Sequence, residues 1–232
     1  MKAPPHIASQ VHRVTNFRDL ISTPFQGKIN ALCWNRNLTG DFAEIVQKVA
    51  AGDNVTILSQ EQLQTLRLSE QGQLARDQIL NDFELLQEHG AAPSLNVIRS
   101  YERDDGFPLL PTDVYSFHVD RSPVPSATFL CTYHGEPSDI LPNDQATQKV
   151  LIPAIRNALE KLYGGPKEGF ETFLSEYFFD LHYQAMPGAR PISLGTGHMW
   201  RLAIDHPESR VLPCVHRAPQ EKAGEHRLML IC

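Results

Sequence analysis

From about residue 93 to its C-terminus the chain is cut into short strand candidates separated by Pro, Gly and charged loops, and this restricts its fold more than any other feature. Leu95 to Tyr101 reads as extended. Val114 to Asp120 alternates, with Tyr115, Phe117 and Val119 on one side and Ser116, His118 and Asp120 on the other. Ala127 to Tyr133 is rich in Thr and aromatic residues, as strands tend to be. Further short runs follow at Pro191 to Leu194, His198 to Ile204, Val211 to His216 and His226 to Cys232. Such a series favours a barrel or sandwich over a parallel sheet with alternating helices. Two stretches at helical spacing interrupt it, roughly 146–163 and 167–183, parted by Gly164-Gly165-Pro166.

The first 92 residues read as mainly helical, packed on a core formed by 93–232 with the 146–183 stretch as a helical insertion. Thr39-Gly40-Asp41 opens a helix carrying Phe42, Ile45, Val46 and Val49, and Ala51-Gly-Asp53 ends it. A longer helical stretch runs from about Ser59 to Glu88, with Gly72 as its expected interruption and His89-Gly90 as its stop. With 232 residues, 41% of them hydrophobic, the chain can bury a proper core. A net charge of -6 without a basic tract gives no field for nucleic acid or an anionic membrane. No apolar run reaches bilayer length, and the N-terminus lacks the apolar segment of a secretory signal. Four scattered cysteines without a Cys-x-x-Cys pair fit a reduced, cytoplasmic protein. Substrate and oligomeric state leave no mark in the sequence.

Two residue pairs carry the chemistry. His118 and Asp120 are two apart on a strand candidate, so both can reach one ion from the same face. His216 ends the apolar run Val211-Leu-Pro-Cys-Val, and a core-anchored strand would hold such a ligand in place. Two imidazoles and one carboxylate suit ferrous iron and leave adjacent positions open. Arg227 stands within a nearly all-apolar final strand, where its fork needs a carboxylate; the distal acid of 2-oxoglutarate would supply one, and so would a structural salt bridge. Tyr133 is a candidate hydroxyl donor to the same acid. Thr132, Trp200 and Arg201 are lesser candidates, and Arg121 either meets an anionic substrate or faces solvent. His198, after Gly195-Thr-Gly197, is the main rival to His216. Cys131, His134 and Cys214 add soft ligands, so a zinc-binding or metal-handling protein without oxygenase activity is the alternative.

In order and spacing, His118, Asp120, His216 and Arg227 resemble the iron(II)- and 2-oxoglutarate-dependent dioxygenases. The resemblance implies an α+β fold built on a double-stranded β-helix (jelly-roll or cupin-like) barrel with flanking helices. It also implies hydroxylation coupled to decarboxylation of 2-oxoglutarate to succinate. More narrowly, four segments resemble the bacterial family labelled DUF1826: Phe117-His-Val-Asp120, Leu130-Cys-Thr-Tyr-His-Gly135, Gly195-Thr-Gly-His-Met-Trp-Arg201 and Val215-His-Arg-Ala-Pro219. That likeness spans roughly residues 28 to 232. Its members are sometimes associated with zinc-limitation genes, which leaves room for another metal. Many superfamily members place Ser two residues after the Arg, where this chain has Met229.

Overall fold

Side-chain caps set where the N-terminal helices begin. In the computed structural model, which describes residues 10–49, 54–104, 106–220, 222 and 224–232, Asn16 caps α1 (Phe17–Ser22) and Asp41 caps α2 (Phe42–Lys48). Ser59 and Gln62 form a reciprocal capping box on α3 (Gln60–Thr65), and Ser69 caps α4 (Glu70–Glu88). The stretch expected as one helix from Ser59 is therefore two. The break comes at the second cap; Gly72 lies inside α4, pressed against the Glu44 carboxylate. His89 caps α4 and Gly90 follows at φ +85°, as expected of that stop. The expected end of α2 at Ala51-Gly-Asp53 lies outside the described residues.

The strands form two sheets. The larger orders as β1 (Val11–Val14), β2 (Ala31–Trp34), β11 (Met199–Ala203), β6 (Ala127–His134), β13 (Arg227–Ile231), β4 (Ser94–Ile98) and β3 (Val55–Leu58). The smaller orders as β10 (Ile192–Ser193), β7 (Asp139–Ile140), β12 (His216–Arg217), β5 (Phe117–His118), β9 (His182–Ala185) and β8 (Ala146–Gln148). All pairs are antiparallel except β1 with β2. Three strands thus come from the first 58 residues and extend both edges of the larger sheet. The result is an α+β fold with a curled half-barrel. No named strand of one sheet pairs with one of the other; the isolated bridge Arg121 to Asp205 links the chain beyond β5 to that beyond β11.

Alternation along the strands divides the core into layers. Phe129, Cys131, Tyr133, Met199, Leu228 and Leu230 face α2 and α4, packing with Ile45, Ile79, Phe83 and Leu86. Their neighbours Leu130, Trp200 and Leu202 turn the other way, toward Ile140 and Cys214 of the smaller sheet's side. A separate cluster of Val150, Ile155, Leu159, Phe170 and Leu174 seats α5 (Pro153–Tyr163) and α6 (Phe170–Glu176). The two helices expected at 146–163 and 167–183 are shorter than their apolar spacing suggested. Ala146–Gln148 and His182–Ala185 pair with each other as β8 and β9, and β9 also pairs with β5. Likewise only His216 of the Val211–His216 run is strand. Pro213 has no N–H for a ladder, and the carbonyls of Leu212 and Pro213 instead accept from the Asn30 amide.

One acid interrupts the buried stripe of α4. Asp82 is fully buried, and Arg36 donates to both its oxygens at 2.6 and 2.5 Å while the Tyr133 hydroxyl donates at 2.6 Å. Removing the carboxylate strands the guanidinium in the core. Asp82→Ala is therefore expected to cost roughly 3–5 kcal/mol in urea unfolding. A loss below about 1 kcal/mol, the range of exposed pairs, would show that water reaches Arg36.

Candidate metal centre

Sheet register assembles the centre. His216 stands directly opposite His118 on one side and Ile140 on the other, and His118 stands opposite His182. Directly opposed residues of antiparallel strands share a face. Ile140 belongs to the core between the sheets, so these imidazoles project there too. The rings of His118 and His216 lie 4.6 Å apart. Asp120 follows two residues after His118, just past the end of β5. Val119 between them is buried with its N–H on the Leu181 carbonyl, which keeps the chain extended without a formal strand.

The donor atoms converge without satisfying one another. His118 Nε2 is 3.9 Å from Asp120 Oδ1 and His216 Nε2 is 3.6 Å from Asp120 Oδ2, beyond hydrogen-bond length. One ligand atom from each of the three lies within 4.8 Å of the others. Backbone carbonyls fix both tautomers. His118 Nδ1 faces the Ser116 carbonyl at 2.8 Å and His216 Nδ1 faces that of Cys214 at 3.2 Å. Since a carbonyl only accepts, each Nδ1 carries a proton, which leaves Nε2 of each ring, turned toward Asp120, as the atom to bind an ion. This is the outer-shell arrangement that orients metal-binding histidines. Thr128 on β6 donates its hydroxyl to Asp120 Oδ2, so the larger sheet aims the carboxylate.

The charge states agree with this reading. Burial, reinforced by the facing His216, lowers the His118 pKa to about 4, so the ring is neutral near pH 7. Burial works to raise the Asp120 pKa, but His216, the Thr128 hydroxyl and His118 together hold it below its ordinary value. A neutral His118 and an ionised Asp120 are in the states that bind a divalent ion. The Asp120 side chain is 36% exposed against 15% and 10% for the two histidines, which leaves solvent a way to the ion position from the carboxylate side.

The remaining candidates separate by sheet face. Arg227 is buried on the face opposite Leu228, and Nη2 reaches Ser138 Oγ at 3.1 Å and Met229 Sδ at 3.4 Å. Its Nε and Nη1 have no hydrogen-bond partner among the described residues, although the Tyr101 phenol lies near the guanidinium. Burial pushes its pKa below the usual arginine value, with Tyr101 and Glu136 opposing. Thr132 Oγ1 is also buried without a partner among the described residues. Tyr133, expected beside the cosubstrate acid, is on the helix face, committed to Asp82 and stacked on Phe42. Cys131 shares that face, 3.5 Å from Arg36, and burial pushes its thiol up to about 12.

Cys214 is buried between the sheets with its thiol pKa raised, and neither it nor His134 joins the three-residue cluster. His198 Nδ1 instead meets the Arg36 backbone N–H and carbonyl at 3.3 and 3.1 Å and is not part of this set. Trp200 is core, donating to the Leu194 carbonyl. Arg201 donates to the carbonyls of Leu20, Ile21 and Thr23. Arg121 is solvent-exposed, as one of its two readings had it, but it does not stand free for an anion: Asp180 and Asp205 take it at 2.6 and 2.7 Å.

His182 escaped the sequence reading. It is 3% exposed, its ring is 5.9 Å from that of His118, and burial lowers its pKa to about 3. Nothing local marked it, because its partner strand lies more than sixty residues upstream. The chain has, among its described residues, a two-His, one-Asp group able to hold a metal ion, and no helix long and apolar enough to cross a membrane. Comparison with protein-family models, curated proteins and solved structures finds no match, so the chemistry is read from these side chains alone.

Proposed function

We propose that the protein is an iron(II)- and 2-oxoglutarate-dependent oxygenase that hydroxylates an organic substrate. The carrying observation is the convergence of one ligand atom each from His118, Asp120 and His216 within 4.8 Å, two imidazoles and a carboxylate turned on one point. In this reading those three are the metal ligands and Arg227 anchors the distal carboxylate of 2-oxoglutarate. The buried Arg227 guanidinium, whose Nε and Nη1 have no hydrogen-bond partner among the described residues, is the cation such a carboxylate would pair with. Ser138 supplies the hydroxyl that Met229 cannot, and Tyr101 replaces Tyr133 as the neighbouring phenol. Bound iron and 2-oxoglutarate would supply the power to oxidise a C–H bond, with dioxygen consumed and succinate and carbon dioxide released.

Strand order supports the same fold class as the resemblance. In chain order β4, β5, β6 and β7 alternate between the larger and smaller sheets, and β10, β11, β12 and β13 alternate in turn. A two-strand ribbon wound into a helix gives this alternation, so we read residues 93–232 as a double-stranded β-helix core. Residues 1–92 then buttress it, and the 146–183 insertion splits the two halves. The likeness to DUF1826 belongs to this reading. So does cytoplasmic placement, supported by four free thiols.

Anaerobic titration of the iron-loaded protein with 2-oxoglutarate tests the proposal. A weak visible charge-transfer band should appear and saturate at one equivalent. Zinc held at one equivalent, with no such band after iron loading, would favour the metal-handling alternative. Arg227→Gln should keep the metal and weaken 2-oxoglutarate by on the order of 10- to 100-fold, the worth of hydrogen bonds to a charged group. Unchanged affinity would remove Arg227 from the site.

A further inference from the structure

A second polar site lies on the far side of the larger sheet from the metal centre. Trp200 and Leu202 face the core between the sheets, so Arg201 between them projects to the helix side. There a cavity of about 620 Å³ opens between the end of α4, the turn before β6 and the chain around Phe25. Neither Asp nor Glu lines it, although the chain carries 27 of them. Burial raises the Cys232 thiol at its edge to about 11, so that group is uncharged as well. The main-chain oxygen of Cys232 accepts from the Phe129 N–H at 2.8 Å. Among the described residues no carboxylate, that of the last residue included, pairs with Arg201, and burial alone shifts its pKa, downward.

The three nitrogens of Arg201 differ in what they can still do. Nη1 is spent on the carbonyls of Leu20, Ile21 and Thr23 at 3.3, 3.0 and 3.1 Å. Nε is sealed from solvent and can serve no ligand. Nη2 has no partner among the described residues and is not sealed, so it is the edge of the fork left open where Arg201 lines the cavity. His206 supplies a second donor. The Glu208 N–H donates to His206 Nδ1 at 3.2 Å, so the ring proton sits on Nε2, which is likewise unsealed and without a partner among the described residues. Phe25 holds the guanidinium over its ring at 4.6 Å. Ala91, Ala127 and Phe129 give the cavity an apolar floor.

We propose that this cavity binds a small organic carboxylate with an apolar body. Arg201 Nη2 donates to one oxygen and His206 Nε2 to the other, while the apolar body lies on Ala91, Ala127 and Phe129. Two donors match the two oxygens of a carboxylate; a phosphate would turn a further oxygen onto the apolar floor. A guanidinium that has lost much of its water without gaining an acid attracts an anion more strongly than one on the open surface. The cavity is of the size that takes a small molecule. The site uses neither the metal ligands nor Arg227, so it stands or falls independently of the oxygenase reading.

The test uses the full chain, isotope-labelled, with benzoate as probe and NMR signals of the His206 ring and the Ala91 and Ala127 methyls as readout. These should shift saturably, with a dissociation constant in the millimolar range expected of so small a ligand. Benzamide has the same ring without the charge and should bind on the order of tenfold more weakly. Arg201→Gln keeps an NH₂ for the α1 carbonyls but removes the charge, so the methyl signals should no longer saturate. His206→Ala should weaken binding, and Arg227→Gln should leave it unchanged. Shifts linear in benzoate, or equal binding of benzoate and benzamide, would overturn the proposal. So would full binding to folded R201Q, or inorganic phosphate saturating the same signals more tightly than benzoate. If R201Q does not fold, H206A and the benzamide comparison on the unaltered chain decide the matter.

Discussion

Replacing His216 with Ala is expected to abolish stoichiometric iron binding while leaving a folded protein. The ring makes one backbone hydrogen bond, to the Cys214 carbonyl, and its Nε2 has no hydrogen-bond partner among the described residues, Asp120 Oδ2 being 3.6 Å away. Its loss therefore removes a donor from the ion without stranding a buried partner. The affinity loss should exceed the roughly 10- to 100-fold typical of an outer-shell partner. Thr128→Val supplies that comparison, since it removes only the hydroxyl that aims Asp120. Asp120→Asn should match His216→Ala, because the carboxylate brings the compensating charge as well as an oxygen. Metal content after dialysis, with circular dichroism to confirm the fold, gives the ranking directly. If all three variants keep one equivalent of iron, the ion sits elsewhere and the assignment of the centre is wrong.

The elements legible in the sequence were those whose local signals agreed with their surroundings. Asp41 before a helical stripe, and the alternation of Ala127 to Tyr133, each point to one outcome, and α2 and β6 follow. His118 and Asp120 were legible because two-residue spacing on an extended chain is a local property. What was hidden depends on distant partners. His182 and Ala146 sat in apolar runs with helical spacing, yet pairing with β5 and with each other's strands took precedence over that spacing. Tyr133 was read by type as a hydroxyl donor. Its side of the sheet is set by what lies beneath, and there Asp82 waits on a helix some fifty residues earlier.

Acid should unfold the metal-free protein well before its carboxylates are fully protonated. His118 has a folded pKa of about 4 and His182 of about 3, both depressed first by burial. In the unfolded chain each would titrate near 6.5. A group held neutral in the fold binds its proton more readily when unfolded. Its contribution is therefore complete above about pH 6.5 and drains away as pH falls toward the folded pKa. Together the two rings would cost on the order of 5 kcal/mol across that window. This is less than the plain sum of the shifts, because part of the His182 shift is repulsion from a charged His118. Such a loss is comparable with the whole stability of many domains. Urea unfolding at successive pH values, with chelator present, should show stability declining steadily from about pH 6.5 to pH 4.5. His182→Gln should flatten the lower part of that decline. Bound metal should displace the whole curve toward acid, since protons then compete with the ion for His118. A flat profile through this window in the metal-free protein would mean that water hydrates both imidazoles, and the burial described above for His118 and His182 would have to be given up.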